Sequence, residues 1–325
     1  MSMIEINHLV KKYGQNFAVN DISFSVNEGE VLGFLGPNGA GKTTTMNILT
    51  GYLSATGGSA KIAGIDILEN PMEAKKHIGF LPEHPPLYQD MTVKEYLNFV
   101  YNLKKCTLNR KAHLGEICEV IRIEDVYKRP ISHLSKGYRQ RVGIAQALIG
   151  NPDVLIFDEP TVGLDPKQII EIRNLITGLG KKHTIILSSH ILPEVQSVCG
   201  RIVIINKGKI VADAKTDELD VLTGSRKLVA KVTGKPQETV NLLSSIPGVT
   251  ACEQLPERDG DAYAFLLESQ NDVDIRKMLF TKVASNGRFL VGLEPVGANL
   301  EDVFITLTGA PSDTAPDSQS TEGGK

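Results

Sequence analysis

Residues Gly36 to Thr44 read Gly-Pro-Asn-Gly-Ala-Gly-Lys-Thr-Thr and fit the pattern G-x-x-x-x-G-K-[ST] of a phosphate-binding P-loop. The short apolar run Glu30–Leu35 comes before the loop and is typical of a buried strand. Residues Thr44–Gly51 predict a helix that ends at Gly51. Strand, glycine-rich loop and helix N-terminus in this order predict backbone N–H groups that converge on one phosphate-binding point.

Each residue type in the P-loop has its own use. The glycines let the backbone curl tightly because they carry no Cβ. Lys42 can reach the β- and γ-phosphates of a nucleotide, and the hydroxyl of Thr43 can ligate Mg²⁺. On this stretch alone, a chance glycine-rich turn remains the alternative. The predicted nucleotide-binding residues of the loop are Gly36, Pro37, Asn38, Gly39, Ala40, Gly41, Lys42, Thr43 and Thr44.

The bulk composition limits the possible classes of protein. A length of 325 residues allows two ordinary domains, and 41% hydrophobic residues supply a core. The net charge of −3 gives no global basic surplus for nucleic acid. The cysteines are scattered without C-x-x-C spacing, which predicts reduced thiols in a cytosol. No apolar run approaches the roughly 18 residues of a membrane span, so any link to a membrane is expected to go through a partner chain.

Two adjacent carboxylates form the second candidate for chemistry. They are Asp158 and Glu159, and they directly follow the apolar run Val154–Phe157, which is typical of a central parallel strand. Open α/β sheets bind ligands at the carboxyl ends of such strands. Asp158 is therefore predicted to hold Mg²⁺ together with Thr43, and Glu159 to orient or deprotonate water. The alternative is a solvated strand end.

Three further positions are ambiguous on the residues alone. Tyr13 could stack its ring on an adenine or simply pack against the β-layer around it. Ser135 and Gly137 stand before a predicted helix, either as a plain serine N-cap or as a second anion-binding helix end. His190 follows the predicted strand Thr184–Leu187 and could contact a γ-phosphate or be structural.

The predicted fold class is α/β. Residues 1–219 predict a nucleotide-binding domain with a mixed sheet core, an antiparallel β-layer at 3–31 and a helical insert at about 84–150. Residues 220–308 predict the β-α-β-β-α-β order of a small ferredoxin-like α+β domain. Residues 309–325 are rich in Pro, Ser and Gly and predict a disordered tail.

Local signals predict where several elements begin and end. Thr92-Val-Lys-Glu95 fits a capping box, and Asp165-Pro-Lys-Gln168 predicts a capped helix with proline in its first position. In the C-terminal domain, residues 248–254 and 262–268 predict strands.

The motifs, in their order along the chain, resemble those of the ATP-binding subunit of an ABC transporter. The resemblance covers the whole of residues 1–219. Gly36–Thr43 resemble the Walker A motif and Val154–Glu159 the Walker B motif. Leu134-Ser-Lys-Gly-Tyr138 is similar to the family's signature, which is usually Leu-Ser-Gly-Gly-Gln. Each motif apart from the P-loop is weak alone, and their joint occurrence in order is specific.

Single residues extend the resemblance. Asp165, within Gly163-Leu-Asp165, is similar to the aspartate of the D-loop, His190 to the switch histidine and Tyr13 to the adenine-stacking aromatic. The resemblance implies that Lys42, Glu159 and His190 act in catalysis. Glu159 would polarise the attacking water, and His190 would position the γ-phosphate.

The sequence departs from the family pattern at two motifs. Glu83 stands where the family usually has glutamine, and Lys136 and Tyr138 replace a glycine and a glutamine of the signature. Both variants resemble the branch that pairs such a chain with a separate permease, mostly exporters, as does the ending Asn299-Leu-Glu-Asp-Val-Phe304. Glu83 could ligate Mg²⁺, but an ionised glutamate cannot donate a hydrogen bond.

The resemblance implies an ATPase that uses ATP and Mg²⁺ to drive a separate integral membrane permease, an exporter. Two ATP-binding subunits would pair head to tail, as a homodimer or a heterodimer, with each ATP between one P-loop and the other subunit's signature helix. The helical insert and the loop Glu83–Asp90 would contact the permease. The implied location is the cytoplasmic side of the cell membrane, where the permease would hold the chain peripherally.

Two other classes of protein remain as alternatives. A soluble ABC-type ATPase that acts on nucleic acid or ribosomes usually has two ATPase domains or a long coiled coil, and this sequence predicts neither, nor a basic tail. Nucleic acid is therefore not expected as a partner. A P-loop kinase or GTPase has no need of the segment Leu134–Gln140.

Overall fold

The computed structural model describes residues 2–189, 191–218, 225–270, 273–296 and 300–309. The chain forms two compact units, Met1–Thr216 and Asp217–Gly309. His190, the predicted domain border at 219–220 and the predicted tail beyond Gly309 lie outside the described residues.

The first unit contains two sheets. Its strands, in chain order, are β1 (Ser2–Tyr13), β2 (Asn16–Asn27), β3 (Val31–Leu35), β4 (Gly57–Ile62), β5 (Ile65–Asp66), β6 (Ile78–Leu81), β7 (Val154–Asp158), β8 (Thr184–Ser189), β9 (Arg201–Asn206) and β10 (Lys209–Lys215). One sheet is antiparallel, in the order β2-β1-β4-β5. It confirms the predicted β-layer, because the apolar residues that alternate along β1 and β2 are buried.

The second sheet of this unit is mixed and has the order β10-β9-β3-β8-β7-β6. Five of its strands run parallel to one another, in the order β9, β3, β8, β7 and β6. The sixth strand, β10, forms an antiparallel hairpin with β9. Every residue of β7 and β8 is buried, which explains their continuous apolar runs. Since these strands are parallel, the carboxyl ends of β3, β7 and β8 meet at one edge of the sheet.

Helices surround this sheet. They are α1 (Lys42–Leu49), α2 (Pro71–Ala74), α3 (Val93–Leu103), α4 (Arg110–Ile121), α5 (Lys136–Leu148), α6 (Pro166–Leu179) and α7 (Leu192–Val198). The region of the predicted insert contains α3, α4 and α5, and an isolated bridge joins Thr92 to Pro130. The capping box is confirmed, because the Thr92 N–H donates to Glu95 Oε2 at 2.8 Å while Thr92 Oγ1 accepts from the Glu95 N–H.

The second unit has the predicted β-α-β-β-α-β order. Its elements are β11 (Ser225–Thr233), α8 (Pro236–Ser244), β12 (Val249–Asp259), β13 (Ala262–Gln270), α9 (Arg276–Ser285) and β14 (Leu290–Val296), followed by α10 (Leu300–Thr308). The sheet is antiparallel, in the order β12-β13-β11-β14. Phe265, Leu243 and Leu279 are fully buried in its core.

One predicted strand boundary in this unit is wrong. The sequence predicts a strand at 248–254, whereas β12 continues to Asp259. Pro256 lies inside it without breaking the sheet, because β12 is an edge strand and its pairing with β13 is irregular between Gln254 and Arg258.

Among the described residues, no helix of the chain combines the length and apolarity that a membrane crossing requires.

Candidate nucleotide-binding site

The P-loop connects β3 to α1 at the carboxyl edge of the mixed sheet. Gly39 and Gly41 adopt φ values of +78° and +114°, which favour glycine. A Cβ on Gly41 would lie 2.5 Å from the carbonyl oxygen of Ala18, and a Cβ on Gly36 would lie 2.3 Å from that of Ile205. The backbone therefore follows a path between β2 and β9 that leaves no room for side chains at Gly36 and Gly41.

The N-terminus of α1 lies directly after the P-loop glycines. Its cap residue is Gly41, and among the described residues no side chain caps this helix end. The side chains of Thr92, Ser135 and Asp165 do cap α3, α5 and α6. Since the first N–H groups of a helix lack intrahelical partners, those of α1 and its positive dipole end are suited to bind a phosphate.

Lys42 brings a buried positive charge to this point. Its side chain is 6% exposed, and its Nζ donates to the Gly36 carbonyl oxygen at 2.7 Å and lies 3.8 Å from Glu159 Oε1. Burial lowers the pKa of Lys42, and the negative charges of Glu159, Asp158 and Glu83 partly oppose that shift. The predicted residues Lys42 and Glu159 thus lie side by side although they are far apart in the sequence.

Asp158 is the most buried carboxylate of the site. Ser188 Oγ donates to Asp158 Oδ1 at 2.5 Å. Burial raises the pKa of Asp158, whereas hydrogen bonds from Ser188 and Thr43 lower it. The structure therefore brings Thr43 and Asp158, the predicted magnesium ligands, into contact. The charge of Glu83 acts on the pKa of Asp158 as well, which indicates that this exposed residue lies near the site.

The site residues fit a magnesium ion that is shared with a nucleotide. In proteins, Mg²⁺ is usually bound by one or two carboxylates together with phosphate oxygens and waters. Within the described residues, no three His, Cys, Asp or Glu side chains form a metal site by themselves. A hydroxyl and a carboxylate in contact, next to a helix end suited to phosphate, match this shared type of site.

Glu159 has a strained backbone. Its φ is +49°, in the left-handed region that costs a residue other than glycine about 1–2 kcal/mol. Its N–H donates to the carbonyl oxygen of Ser188 at 3.2 Å and to Ser188 Oγ at 3.1 Å. Such strain persists where neighbouring contacts fix the backbone, and it is found often at functional sites.

Tyr13 lies at the end of β1 and is 53% exposed. The Lys11 ammonium lies 5.2 Å from the centre of its ring. The ring is therefore not packed inside the β-layer, and part of its surface is open to solvent. Phe17 was not predicted as a site residue, yet it is also exposed, and it precedes Ala18, the residue that contacts the P-loop at Gly41.

The predicted signature residues form a separate cluster. Ser135 caps α5, because its Oγ accepts from the Tyr138 N–H at 3.4 Å. A Cβ on Gly137 would lie 2.7 Å from Cδ of Gln168, and a Cβ on Gly163 would overlap the ammonium of Lys136. Among the described residues, no hydrogen bond joins this cluster to the P-loop of the same chain. The signature segment instead contacts the segment around Asp165, which caps α6 through the Gln168 N–H at 2.9 Å.

Two contacts of the site are absent from the sequence-based predictions. One is the link of Ser188 to Asp158 and Glu159, which the position of Ser188 at the end of a buried strand could have indicated. The other is a buried hydrogen bond from Thr161 Oγ1 to Glu194 Oε2, for which the sequence carries no local signal, since the two residues are distant in the chain.

Comparison with known proteins agrees with this geometry. The family model described as ABC transporter matches residues 19–162. The chain is 38% identical over 220 residues to the bacitracin transport ATP-binding protein BcrA of Bacillus licheniformis, covering 67% of this chain and 71% of that protein. It is 32% identical over 315 residues to the Nod factor export ATP-binding protein I of Cupriavidus pinatubonensis, covering 95% of this chain and 91% of that one.

A solved structure resembles the first unit as well. The dimeric structure of MJ0796, a bacterial ABC transporter cassette, superposes with a TM-score of 0.60 at 26% identity. It covers 66% of this chain and 99% of that cassette.

Proposed function

Because this chain belongs to the family of ABC transporter ATP-binding proteins and is the ATP-hydrolysing subunit of a transporter, we propose that the P-loop, Asp158 and Glu159 form its hydrolytic site. The observation that carries this assignment is the meeting of Lys42, Thr43, Asp158 and Glu159 at one edge of the sheet. A buried cation, a free helix end and two carboxylates are the groups that binding and cleaving a triphosphate require.

Each group has a distinct task in this proposal. The Lys42 ammonium and the N–H groups of α1 bind the phosphates and stabilise negative charge on them. Thr43 and Asp158 would hold Mg²⁺, which neutralises phosphate charge when it is bound. Glu159 orients the attacking water and accepts its proton. Tyr13 offers its exposed ring to the adenine. Glu83 and His190 keep the roles that the resemblance implies, at the metal and at the γ-phosphate.

We further propose that a second ATP-binding subunit completes the site. Ser135 and Gly137 lie in a cluster apart from the P-loop of their own chain, at the N-terminus of α5. A head-to-tail pair would place this helix end on the γ-phosphate held by the other subunit, with Asp165 at the same interface. The dimeric state of the MJ0796 cassette supports the pairing. A homodimer is the simplest form, and a heterodimer uses the same geometry.

The permease partner is proposed to dock on the helical insert and on the loop Glu83–Asp90. In that loop Tyr88 is 52% exposed, and its ring lies 5.3 Å from that of Phe99 on α3, with the two rings edge to face. Exposed aromatic clusters of this kind commonly mark protein contacts. The names of the bacitracin transport and Nod factor export relatives support an exporter. Docking on the permease would hold the chain at the cytoplasmic face of the membrane.

Glu159→Gln tests the site and the pairing together. The amide cannot take up a proton, so we expect hydrolysis to slow by about 10² or more. ATP binding should persist because Lys42, Thr43 and Asp158 are unchanged. With cleavage blocked, the variant should shift from monomer to dimer in ATP and Mg²⁺, but not in ADP, as measured by light scattering after gel filtration. Wild-type protein in ADP is the matched control.

Three outcomes would contradict parts of the proposal. Hydrolysis at the wild-type rate would remove Glu159 from the site. An inactive variant that stays monomeric at tens of micromolar protein and saturating ATP would argue against the head-to-tail pair in the isolated chain. Recovery of ribosomes instead of a polytopic permease from detergent-solubilised membranes would favour the rival class of soluble ABC-type ATPases.

A further inference from the structure

We propose that Thr161 and Glu194 form a positioning pair for hydrolysis, which fixes the turn that carries Glu159. The inference rests on the hydrolytic role proposed for Glu159. Thr161 Oγ1 donates to Glu194 Oε2 at 2.5 Å. Both residues are almost fully enclosed, with 3% of Thr161 and 5% of Glu194 exposed. Neither side chain is a candidate to touch the nucleotide, so both would act through Glu159.

The burial of Glu194 indicates a role other than packing. Glutamate is almost never fully buried unless it is paired, because a carboxylate loses strong hydration when it leaves water. A leucine or methionine of similar volume would fill the same space in the core without that cost. The first turn of α7, where Glu194 lies, and the hydroxyl of Thr161 both favour the carboxylate.

The pair lies where it can control the geometry of the turn. Thr161 follows Glu159 by two residues, and between them the ring of Pro160 restricts φ. On the other side of the turn, Ser188 accepts the Glu159 N–H through its carbonyl oxygen and bonds to Asp158 through its hydroxyl. The turn is thus held by Ser188 from β8 and by Glu194 from α7.

These two anchors belong to one continuous stretch of chain. Ser188 lies in β8, which ends at Ser189, and Glu194 lies in α7, which begins at Leu192. Without the Thr161–Glu194 bond, the turn would lose its support from α7, and the left-handed backbone of Glu159 could relax. The carboxylate would then move away from its place 3.8 Å from Lys42.

Conservative and non-conservative variants of the full-length chain test this inference. Thr161→Val keeps the shape of the side chain but removes the donor, and Thr161→Ser keeps the donor. We expect Thr161→Val to lower kcat by about 10- to 100-fold, as small displacements of reacting groups do, with KM for ATP within about two-fold of wild type. Thr161→Ser should retain most of the turnover.

Glu194 provides the reciprocal half of the test. Glu194→Gln still offers an oxygen to Thr161 and should retain most of the turnover, whereas Glu194→Ala should lose as much as Thr161→Val. Since the two residues share this bond, the loss in the double variant Thr161→Val/Glu194→Ala should be smaller than the sum of the two single losses. Thr177→Val is the matched control, because it also removes a donating threonine hydroxyl, in this case an exposed one on α6 that donates to the Arg173 carbonyl oxygen.

The possible failures can be told apart. Wild-type kcat in Thr161→Val, or equal losses in Thr161→Val and Thr161→Ser, would overturn the positioning role, even while Glu159→Gln is inactive. Full activity of Glu159→Gln would instead remove the hydrolytic role of Glu159 itself. If Glu194→Ala does not fold, Thr161→Val with its melting temperature and ATP affinity still decides the question.

Discussion

Two glycines of the P-loop, Gly39 and Gly41, can each be replaced by alanine. Comparing the stability of the two variants should separate the cost of the left-handed backbone from the cost of steric overlap. Gly39 and Gly41 both have positive φ, so each alanine would adopt a conformation that L-residues avoid. At Gly39 the new methyl group meets nothing within 4 Å, whereas at Gly41 it would lie 2.5 Å from the Ala18 carbonyl oxygen and 3.2 Å from Ile205 Cδ1. The pair is therefore matched in chemistry and differs in available space.

The magnitudes follow from these contacts. Left-handed alanine costs about 1–2 kcal/mol, and the loss of glycine's freedom in the unfolded chain returns about 0.4–1 kcal/mol. Gly39→Ala should thus lower the free energy of unfolding by about 0–1.5 kcal/mol. Gly41→Ala carries an additional cost of about 1–3 kcal/mol, because the backbone of β2 must move to admit the methyl group. That backbone shift should also displace the N-terminus of α1 and weaken ATP binding.

Urea unfolding followed by far-UV circular dichroism measures the difference, since the chain contains no tryptophan to report on it. The two units can unfold separately. The transition of the first unit is identified as the one that Mg-ATP shifts to higher urea. If the free energies of unfolding of the two variants agree within about 0.5 kcal/mol, the claim that β2 blocks a side chain at Gly41 is refuted. A larger loss at Gly39 would refute it as well.

Three other substitutions probe separate parts of the first unit. Lys42→Ala should weaken ATP binding by about 10- to 150-fold, because it removes a charge-assisted contact of about 1.5–3 kcal/mol. An unchanged Kd in a fluorescent-nucleotide titration would contradict this prediction. Thr92→Ala should cost about 1 kcal/mol of stability by removing the cap of α3, whereas Thr177→Val should show no comparable loss. Lys104 is exposed along its stem, while its ammonium donates to the carbonyl oxygens of Ala147 and Ile149. Desolvation of this ammonium lowers the pKa of Lys104 to about 8. Between pH 8 and 10.5 the Lys104 amine is therefore protonated in the unfolded chain but largely neutral in the folded one. The free energy of unfolding of wild type should then rise with pH in this window relative to that of Lys104→Met. A constant difference between the two would refute the lowered pKa of Lys104.

Much of the first unit could be predicted from its sequence because the decisive signals are local. The P-loop needs glycine at fixed offsets from a strand, and Asp158 and Glu159 directly follow a buried run. The parallel arrangement then brings these segments to one edge without further information. The same locality explains why the capping signals at Thr92 and Asp165 predicted real helix starts.

Contacts between distant segments could not be predicted in this way. The order of the strands places β8 between β3 and β7, so Ser188 lies next to the carboxylates. No spacing rule relates Ser188 or Glu194 to Glu159. The extension of β12 past Pro256 depends on its being an edge strand, which only the assembled sheet determines.

The left-handed backbone of Glu159 has a consequence for directed evolution of this protein. A glycine at this position would adopt the same φ without strain. It would remove both the repulsion between Glu159 and Asp158 and the attraction between Glu159 and Lys42, 3.8 Å away. A library sorted only for resistance to heat is therefore expected to enrich Glu159→Gly where the relief of strain outweighs the lost attraction to Lys42, although this replacement discards the carboxylate proposed to activate water. Sorting such a library must include a selection for turnover, or stability will be gained at the expense of the reaction.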